Sequence, residues 1–231
     1  MEIGGFQKTS LIDYPDHICS IIWTSRCNFR CPFCYNPDLV FGRAPLIQEE
    51  EVFNHLKKRK NVIDALTITG GEPTLQKDLG QFIKKVKGFG YLVKLDTNGT
   101  NPKALRELLD NNLLDYIAMD VKAPKEKYAL LTGIKPNLEN IEDSIKIIQE
   151  KAPDYEFRTT VIPNLLEKKD ILEIAKWLSG SRRYVLQQFT KPSGLVDKKA
   201  EELKPYPDKF FEELSEKLKK NFNNFQTRGV K

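Results

Sequence analysis

Three of the four cysteines lie within one eight-residue span, in the stretch SRCNFRCPFCYNP (25–37). Cys27, Cys31 and Cys34 follow the spacing C-x3-C-x2-C, so their thiolates can face a common point. Thiolates are soft ligands that suit zinc or iron–sulfur clusters. A structural zinc site normally has four protein ligands, and neither of the two histidines stands at a spacing typical of a zinc finger. Three ligands therefore fit zinc poorly.

A [4Fe–4S] cluster accounts better for a set of three cysteines. Three thiolates hold three irons, and the fourth iron stays open for a substrate or cofactor. The remaining cysteine, Cys19, lies in the apolar run ICSIIW, where packing in the core is expected. A zinc-binding interaction module remains the non-enzymatic alternative.

Composition and charge favour a globular protein without a nucleic-acid surface. The 231 residues carry a net charge of +5, from 37 basic and 32 acidic side chains, and the lysines are dispersed among glutamates. A surface that follows phosphates usually shows clustered basic residues. The N-terminus lacks the basic start and apolar run of a secretion signal, and ICSIIW is too short to span a bilayer. We therefore expect no membrane partner, no nucleic-acid partner and a cytoplasmic location.

Short β-rich runs alternate with longer amphipathic runs along the chain. The predicted strands are 17–24, 63–70, 91–97, 115–122, 155–162 and 183–189. The predicted helices include 75–90, 101–112 (with Asn101 as N-cap and Pro102 in the first turn), 141–152, 168–180 and a final helix from Pro205 to Phe222. This alternation indicates parallel strands joined by right-handed crossovers. Periodicity alone permits either an open doubly wound sheet or an incomplete α/β barrel.

Polar residues follow one predicted strand after another. They include Thr69-Gly70-Gly71-Glu72, Asp96-Thr97-Asn98-Gly99, Met119-Asp120-Val121-Lys122, Arg158-Thr159-Thr160 and Gln187-Gln188. Ligands bind at the carboxyl ends of strands in both architectures, so these ends indicate one site. Each feature also has a structural explanation: the glycine pair as a turn, and Asp120 with Lys122 as an ion pair.

Two independent motifs in this order resemble the radical S-adenosylmethionine (SAM) superfamily. They are the cysteine motif with Phe33 before its last cysteine, and Gly-Gly-Glu-Pro after the second predicted strand. KTSLIDYPD, CYNP, LDTNG and MDVK are similar to the glycyl-radical-enzyme activases of that superfamily. FRTTVIP and YVLQQF look most like anaerobic ribonucleoside-triphosphate reductase activating proteins, followed by pyruvate formate-lyase activating enzymes.

The resemblance implies an incomplete (β/α)6 TIM-like barrel with parallel strands in an α/β fold. We expect an N-terminal extension at 1–16, the barrel at 17–204, and a C-terminal helix packed on the same domain at 205–231. With only four cysteines in the chain, no second cluster with four cysteine ligands is expected.

The resemblance also implies the chemistry and the partners. SAM would bind the open iron of one [4Fe–4S] cluster and be cleaved reductively to methionine and a 5′-deoxyadenosyl radical. That radical would take hydrogen from a glycine of a partner glycyl radical enzyme, by this likeness anaerobic ribonucleotide reductase. Flavodoxin or ferredoxin would supply the electron. Alternatives are an activase of a pyruvate formate-lyase-like enzyme, or a radical SAM enzyme acting on a small molecule or RNA.

Individual residues carry the implied contacts with SAM. Phe33 would contact the adenine, and the main chain at Gly70 and Gly71 would approach the methionine amino group. Asp120 and Lys122 would approach the ribose and the carboxylate. The other positions that the resemblance assigns to SAM binding are Tyr35, Glu72, Asn98 and Gln188. Gln188 lies where pyruvate formate-lyase activating enzymes carry a histidine, a departure that weakens that assignment.

Two further implied sites lie beside the cofactor. Asp96, Thr97 and Met119, together with Asp120, match positions around a monovalent cation in pyruvate formate-lyase activating enzymes. Asp13 matches an aspartate that touches the peptide substrate, although an aspartate before Tyr-Pro also suits a simple turn.

Overall fold

An eight-stranded sheet organises the part of the chain that the computed structural model describes, residues 1–190 and 194–230. Residues 191–193 and 231, which belong to the predicted segments 17–204 and 205–231, lie outside it. The strands are β1 (Ile3–Ser10), β2 (Cys19–Thr24), β3 (Ala65–Gly70), β4 (Leu92–Thr97), β5 (Tyr116–Asp120), β6 (Tyr155–Val161), β7 (Arg183–Gln188) and β8 (Asn224–Arg228). Strand order in the sheet follows the chain; β1 is antiparallel to β2, and all later neighbours are parallel.

Helices connect the parallel strands, as crossovers require. They are α1 (Pro37–Val40), α2 (Glu49–Arg59), α3 (Leu79–Gly88), α4 (Pro102–Asp110), α5 (Tyr128–Thr132), α6 (Leu138–Lys151), α7 (Lys168–Trp177) and α8 (Asp208–Leu218). Short 3₁₀ turns lie at Pro73–Leu75, Lys125–Lys127 and Lys198–Glu202. Over residues 1–190 and 194–230, we find no helix with the length and apolar character needed to cross a bilayer.

The predicted α/β class is confirmed, and all six predicted strands are present as β2 to β7, with bounds within two residues of the predicted ones. The two outer strands, β1 and β8, were not predicted. β1 contains Gly4 and Gly5, and glycine is depleted in strands, so its sequence carries a weak strand signal. The predicted last helix is shorter than expected, and the polar strand β8 follows it.

The inner face of the sheet carries charges that connect strands which are not neighbours. Arg158 Nη1 on β6 lies 3.2 Å from Asp96 Oδ2 on β4. Arg228 on β8 makes two hydrogen bonds to Glu156 on β6, at 2.6 and 2.8 Å. Side chains two strands apart can meet in this way when the sheet curves around them. The charged face is therefore the inside of a partial barrel.

The outer face packs apolar side chains against the helices. Ile68, Leu95, Ile117 and Phe157 are fully buried on consecutive strands and belong to one hydrophobic cluster with the helices. Side chains alternate across a strand, so the same strands present polar residues to the inside. The apolar core therefore lies between the sheet and the helices, and the polar residues lie inside the barrel.

The start of α4 is tied to the turn that follows β3. Asn101 Oδ1 accepts a hydrogen bond from Ala104 N at 3.2 Å, with Pro102 in the first turn, so the predicted N-cap is confirmed. Asn101 Nδ2 also donates to Thr74 O at 2.8 Å. The cap thereby fixes two neighbouring loops at the carboxyl end of the sheet.

Candidate active site

The cysteine loop joins β2 to α1 and begins with two main-chain hydrogen bonds to that helix. Arg26 N donates to Leu39 O at 2.7 Å, and Cys27 N donates to Val40 O at 3.2 Å. Arg26 has a φ of 73°, which turns the chain sharply after the strand. The position of the first cysteine is therefore set by backbone atoms.

The middle of the loop rests on α5. Arg30 N donates to Thr132 O at 2.8 Å, while the Arg30 guanidinium donates to Cys27 O at 2.6 Å and Phe29 O at 2.7 Å. Gly133 ends α5 with a φ of 66°, and a Cβ on it would lie 2.3 Å from Arg30 O. A glycine is needed for this close approach between helix and loop.

The three predicted ligand cysteines line one cavity of about 220 Å³ at the carboxyl ends of the strands. Cys31 is buried, and Cys27 and Cys34 are half-buried. Burial raises the pKa of the Cys27 thiol to about 11 and that of the Cys31 thiol to about 12. Metal ligation requires thiolates, so loading this site releases protons from the protein.

The donor set fits an iron–sulfur cluster better than a single metal ion. Within the described ranges 1–190 and 194–230, no three His, Cys, Asp or Glu side chains converge closely enough to hold one ion. Three soft thiolates spread along one cavity wall instead match a cluster, whose ligands bind separate irons. Cys19 is fully buried at the other end of β2, which confirms its predicted place in the core.

Gly70 and Gly71 let the turn after β3 pack directly on the start of the cysteine loop. Gly70 has a φ of 116°, and its Cβ would lie 2.3 Å from Thr24 N. A Cβ on Gly71 would lie 1.9 Å from Arg26 O, and Gly71 N donates to Thr24 O at 2.8 Å. Both glycines also line the cavity. The same turn therefore packs against the cysteine loop and forms part of the cavity wall.

Glu72 connects three segments around the cavity. Its carboxylate is 1% exposed and accepts hydrogen bonds from Thr74 Oγ1 at 2.6 Å, Thr97 Oγ1 at 2.7 Å and Asn98 N at 2.7 Å. Burial raises the pKa of Glu72, an effect that these donors oppose. The backbone N of Glu72 donates to Arg26 O at 2.9 Å. The residue therefore holds the ends of β3 and β4 to the cysteine loop.

Asn98 stands between the end of β4 and the first cysteine. Its Nδ2 donates to Asn28 Oδ1 at 2.9 Å and lies 3.9 Å from Cys27 Sγ. Its Oδ1 accepts from Thr100 N at 3.0 Å. This network fixes the amide beside a thiol that a cluster would use.

Asp120 and Lys122 face the cavity from the end of β5. Lys122 Nζ lies 3.0 Å from Asp120 Oδ2, and Arg158 Nε lies 3.1 Å from Asp120 Oδ1. Burial opposes ionisation of Asp120, but the charges of Arg158 and Lys122 outweigh it and lower the Asp120 pKa to about 2. The ion pair considered from the sequence is present, and it also forms part of the cavity wall.

Asp96, the first residue of the predicted cation site, also lines the cavity. Its two oxygens already have cationic partners, with Lys94 Nζ 2.5 Å from Oδ1 and Arg158 Nη1 3.2 Å from Oδ2. Burial opposes ionisation here too, and the neighbouring charges lower the Asp96 pKa.

The side chains of Thr97 and Met119 do not join Asp96. Thr97 lines the same cavity as Asp96, but its hydroxyl donates to Glu72 at 2.7 Å. Met119 is fully buried, with its thioether packed against Gly99. The structure thus gives Asp96 two cationic partners within the protein, and the predicted monovalent-cation site stays a prediction.

Phe33 and Tyr35 both border the cavity. Phe33 is buried, whereas Tyr35 is 43% exposed and its hydroxyl lies 3.3 Å from Thr190 Oγ1. They provide aromatic surface on the side of the cavity formed by the cysteine loop.

Neither Gln188 nor Asp13 is among the residues that line this cavity. Gln188 Nε2 donates to Tyr206 O at 2.6 Å, and its strand neighbour Gln187 is the register partner of Thr160, which does line the cavity. Asp13 accepts a hydrogen bond from Ser10 at the amino end of the parallel strands.

Several residues of the cavity wall were not among the predicted site residues. They are Phe29, Asn36, Val40, Thr69 and Thr160. Thr69 and Thr160 stand among the polar strand ends noted in the sequence, and Thr160 shares its face of β6 with Arg158, two positions before it. The loop residues gave no comparable signal, because a loop has no fixed period.

Comparisons with known proteins agree with this geometry. Residues 21–178 match the model of the Radical SAM superfamily. The chain is 34% identical over 233 residues to a Methanocaldococcus jannaschii protein named "Putative glycyl-radical enzyme activating enzyme", covering 99% of this chain and 96% of that one. It is 28% identical to the pyruvate formate-lyase-activating enzyme of Staphylococcus epidermidis, over 69% of this chain and 68% of that one. It is 32% identical to the GTP 3′,8-cyclase of Aliarcobacter butzleri, over 81% and 57% of the two chains.

Solved structures show the same fold at low sequence identity. The crystal structure of Streptococcus suis SuiB matches with a TM-score of 0.69 at 18% identity, covering 90% of this chain. This chain spans 48% of the SuiB chain. Because the family model matches most of the chain and the M. jannaschii relative matches nearly all of it, the chain belongs to the radical SAM superfamily, whose members use a [4Fe–4S] cluster and SAM.

Proposed function

We propose that this chain is an activating enzyme that creates the stored radical on a glycine of a partner glycyl radical enzyme. The observation that carries the proposal is a single cavity in which three thiols face the glycine turn and the Asp120–Lys122 pair. The M. jannaschii relative of nearly equal length supports the class of substrate.

The residues of the chain bind and orient the reactants in this proposal. Cys27, Cys31 and Cys34 would hold the cluster and leave one iron free for the methionine part of SAM. Bound together, cluster and SAM supply the one-electron chemistry that splits the sulfonium and yields a radical. The aromatic wall and the buried loop contacts would exclude water from that radical.

The polar cavity wall would position SAM for this chemistry. The main chain at Gly70 and Gly71 borders the cavity without side chains, so it can accept a close ligand. Asp120 and Lys122 offer a carboxylate and an ammonium for the ribose and the carboxylate of SAM. Phe33 offers a buried ring beside the adenine.

The proposed partner is anaerobic ribonucleotide reductase, with flavodoxin or ferredoxin as electron donor. The sequence resemblance in FRTTVIP and YVLQQF supports this partner over pyruvate formate-lyase. The end of β7 also supports this choice of partner. Gln188 stands where pyruvate formate-lyase activating enzymes carry a histidine, and its amide donates to Tyr206 O.

The cluster assignment is tested by replacing each ligand cysteine in turn. We expect Cys27→Ala, Cys31→Ala and Cys34→Ala to lose iron, sulfide and SAM cleavage after anaerobic reconstitution. Cys19→Ala is the matched control, because Cys19 is buried at the other end of the barrel and should leave loading intact. Full cleavage activity in any of the first three variants would disprove the mechanism.

The substrate assignment is tested with the reconstituted protein, SAM, a one-electron donor and candidate partner enzymes. We expect the electron paramagnetic resonance doublet of a glycyl radical to appear on anaerobic ribonucleotide reductase and not on pyruvate formate-lyase. The GTP 3′,8-cyclase relative supports a second candidate, action on a small molecule. SAM cleavage coupled to GTP consumption, without a glycyl doublet on either partner, would favour it.

A further inference from the structure

The two carboxylates that face the cavity from β4 and β5 are fully paired within the protein. Lys94 Nζ lies 2.5 Å from Asp96 Oδ1, and Arg158 Nη1 lies 3.2 Å from Asp96 Oδ2. Arg158 Nε lies 3.1 Å from Asp120 Oδ1, and Lys122 Nζ lies 3.0 Å from Asp120 Oδ2. Each of the four carboxylate oxygens therefore has a cationic partner, and Arg158 serves one oxygen of each residue.

Lys94 is the least exposed member of this cluster. Its side chain is 4% exposed, and its ammonium lies 6.0 Å from the centre of the Tyr116 ring. A buried ammonium is costly without a close anion, so the pair with Asp96 is fixed by the fold rather than left to solvent. Lys94 and Asp96 are two residues apart on β4 and share its inner face.

The charge count explains what Lys94 adds. Three cations and two carboxylates leave the cluster with a net charge of +1, beside the cavity that is proposed to take the carboxylate of SAM. Without Lys94 the cluster would be neutral, and Asp96 Oδ1 would have no partner. A free cation bound beside Asp96 Oδ1 would then restore both that partner and the net charge of +1.

We propose that Lys94 is the built-in cation of this site, so that SAM binding requires no free monovalent cation. Its ammonium supplies the charge for Asp96 from within the chain. The side chains of Thr97 and Met119 agree with this assignment, because the Thr97 hydroxyl donates to Glu72 and the Met119 thioether is fully buried against Gly99. The inference uses the SAM cavity and does not depend on which substrate the enzyme activates.

The first experiment measures SAM binding to the reconstituted protein by equilibrium dialysis. Solutions of choline chloride, NaCl and KCl at equal ionic strength are compared. We expect the wild type to bind equally well in all three. Lys94→Met should bind about tenfold more weakly in choline chloride, with recovery in NaCl or KCl. Lys94→Arg keeps the charge and should remain independent of the salt.

A second measurement uses thermal unfolding of the apoprotein, which reports on the site without cluster or SAM. NaCl or KCl should raise the midpoint of Lys94→Met above its value in choline chloride and leave the wild type unchanged. Lys85→Met, at an exposed position on α3, is the matched control and should behave as the wild type. The proposal is overturned if wild-type SAM binding rises severalfold with Na⁺ or K⁺, or if Lys94→Met is indifferent to both ions.

Discussion

Replacing Gly71 by alanine tests whether the glycine turn fixes the cysteine loop. The new Cβ would lie 1.9 Å from Arg26 O, whereas real Cβ contacts essentially never fall below 3.0 Å, so the backbone must separate by about 1 Å. That shift weakens the hydrogen bond from Glu72 N to Arg26 O, now 2.9 Å long. Overpacking costs about 1–3 kcal/mol, and a lost hydrogen bond adds about 1 kcal/mol. We expect the free energy of unfolding to fall by about 2–4 kcal/mol.

The assay combines urea unfolding of the apoprotein with iron and sulfide content after anaerobic reconstitution. Cys27 directly follows Arg26, so the same shift should displace the first thiol and lower the iron content. Gly88→Ala, at the last residue of α3, is the control, because a Cβ there meets nothing within 4 Å and should raise the stability by at most about 1 kcal/mol. If Gly71→Ala unfolds like the wild type and binds a full complement of iron, the turn does not fix the loop.

Three further predictions concern the buried charges. Glu72→Gln replaces a carboxylate oxygen with an amide donor, which would face the backbone and hydroxyl donors that now bind the carboxylate. The free energy of unfolding, measured in urea, should fall by about 2–3 kcal/mol. No change would mean that the carboxylate does not link the loops. Arg228→Met should cost about 2–3 kcal/mol by leaving Glu156, which is 1% exposed, without its bidentate partner, and Glu156→Gln should recover part of this loss in the double variant. The Asp120 pKa is lowered from 3.8 to about 2, so its contribution to stability is present above pH 3.8 and disappears as the pH falls towards 2. That contribution is about 2 kcal/mol, since one pKa unit is about 1.4 kcal/mol. The stability of Asp120→Asn, measured between pH 5 and pH 2, should not show this loss. If the variant loses as much stability in acid as the wild type, Asp120 is not stabilised by Arg158 and Lys122.

The central strands and the cysteine wall could be predicted because each has a local signal. Six strands show β-rich runs between helical periods, and every parallel strand brings its carboxyl end to the same edge of the sheet. The motifs at those ends therefore converge once the topology is known. Cys27, Gly70 and Asp120 accordingly line one cavity in the folded chain.

The other features of the site depend on strand register and sheet curvature, and neither leaves a local signal in the sequence. Gln187 and Gln188 are adjacent, and the pairing of β7 with β6 decides which of them shares the inner face with Thr160. The contact between Arg158 and Asp96 crosses an intervening strand, so it exists only in a curved sheet. Edge strand β8 is short and polar, so its sequence does not indicate a strand. Its place beside β7 is supported by the contact between Arg228 and Glu156, which forms only in the folded chain.

The cysteine loop shows why so short a motif can identify so large a site. Its course is set by main-chain hydrogen bonds from Arg26, Cys27 and Arg30 to the helices, and from Glu72 to Arg26. Side-chain contacts from Arg30 and Asn28 add to this backbone framework. The strictest demands fall on the cysteines, which are proposed to bind the cluster, and on glycines such as Gly71, where a Cβ would meet a carbonyl oxygen. A pattern of cysteines and glycines is therefore what such a loop requires of the sequence, whereas an ion pair such as that of Lys94 follows from the fold.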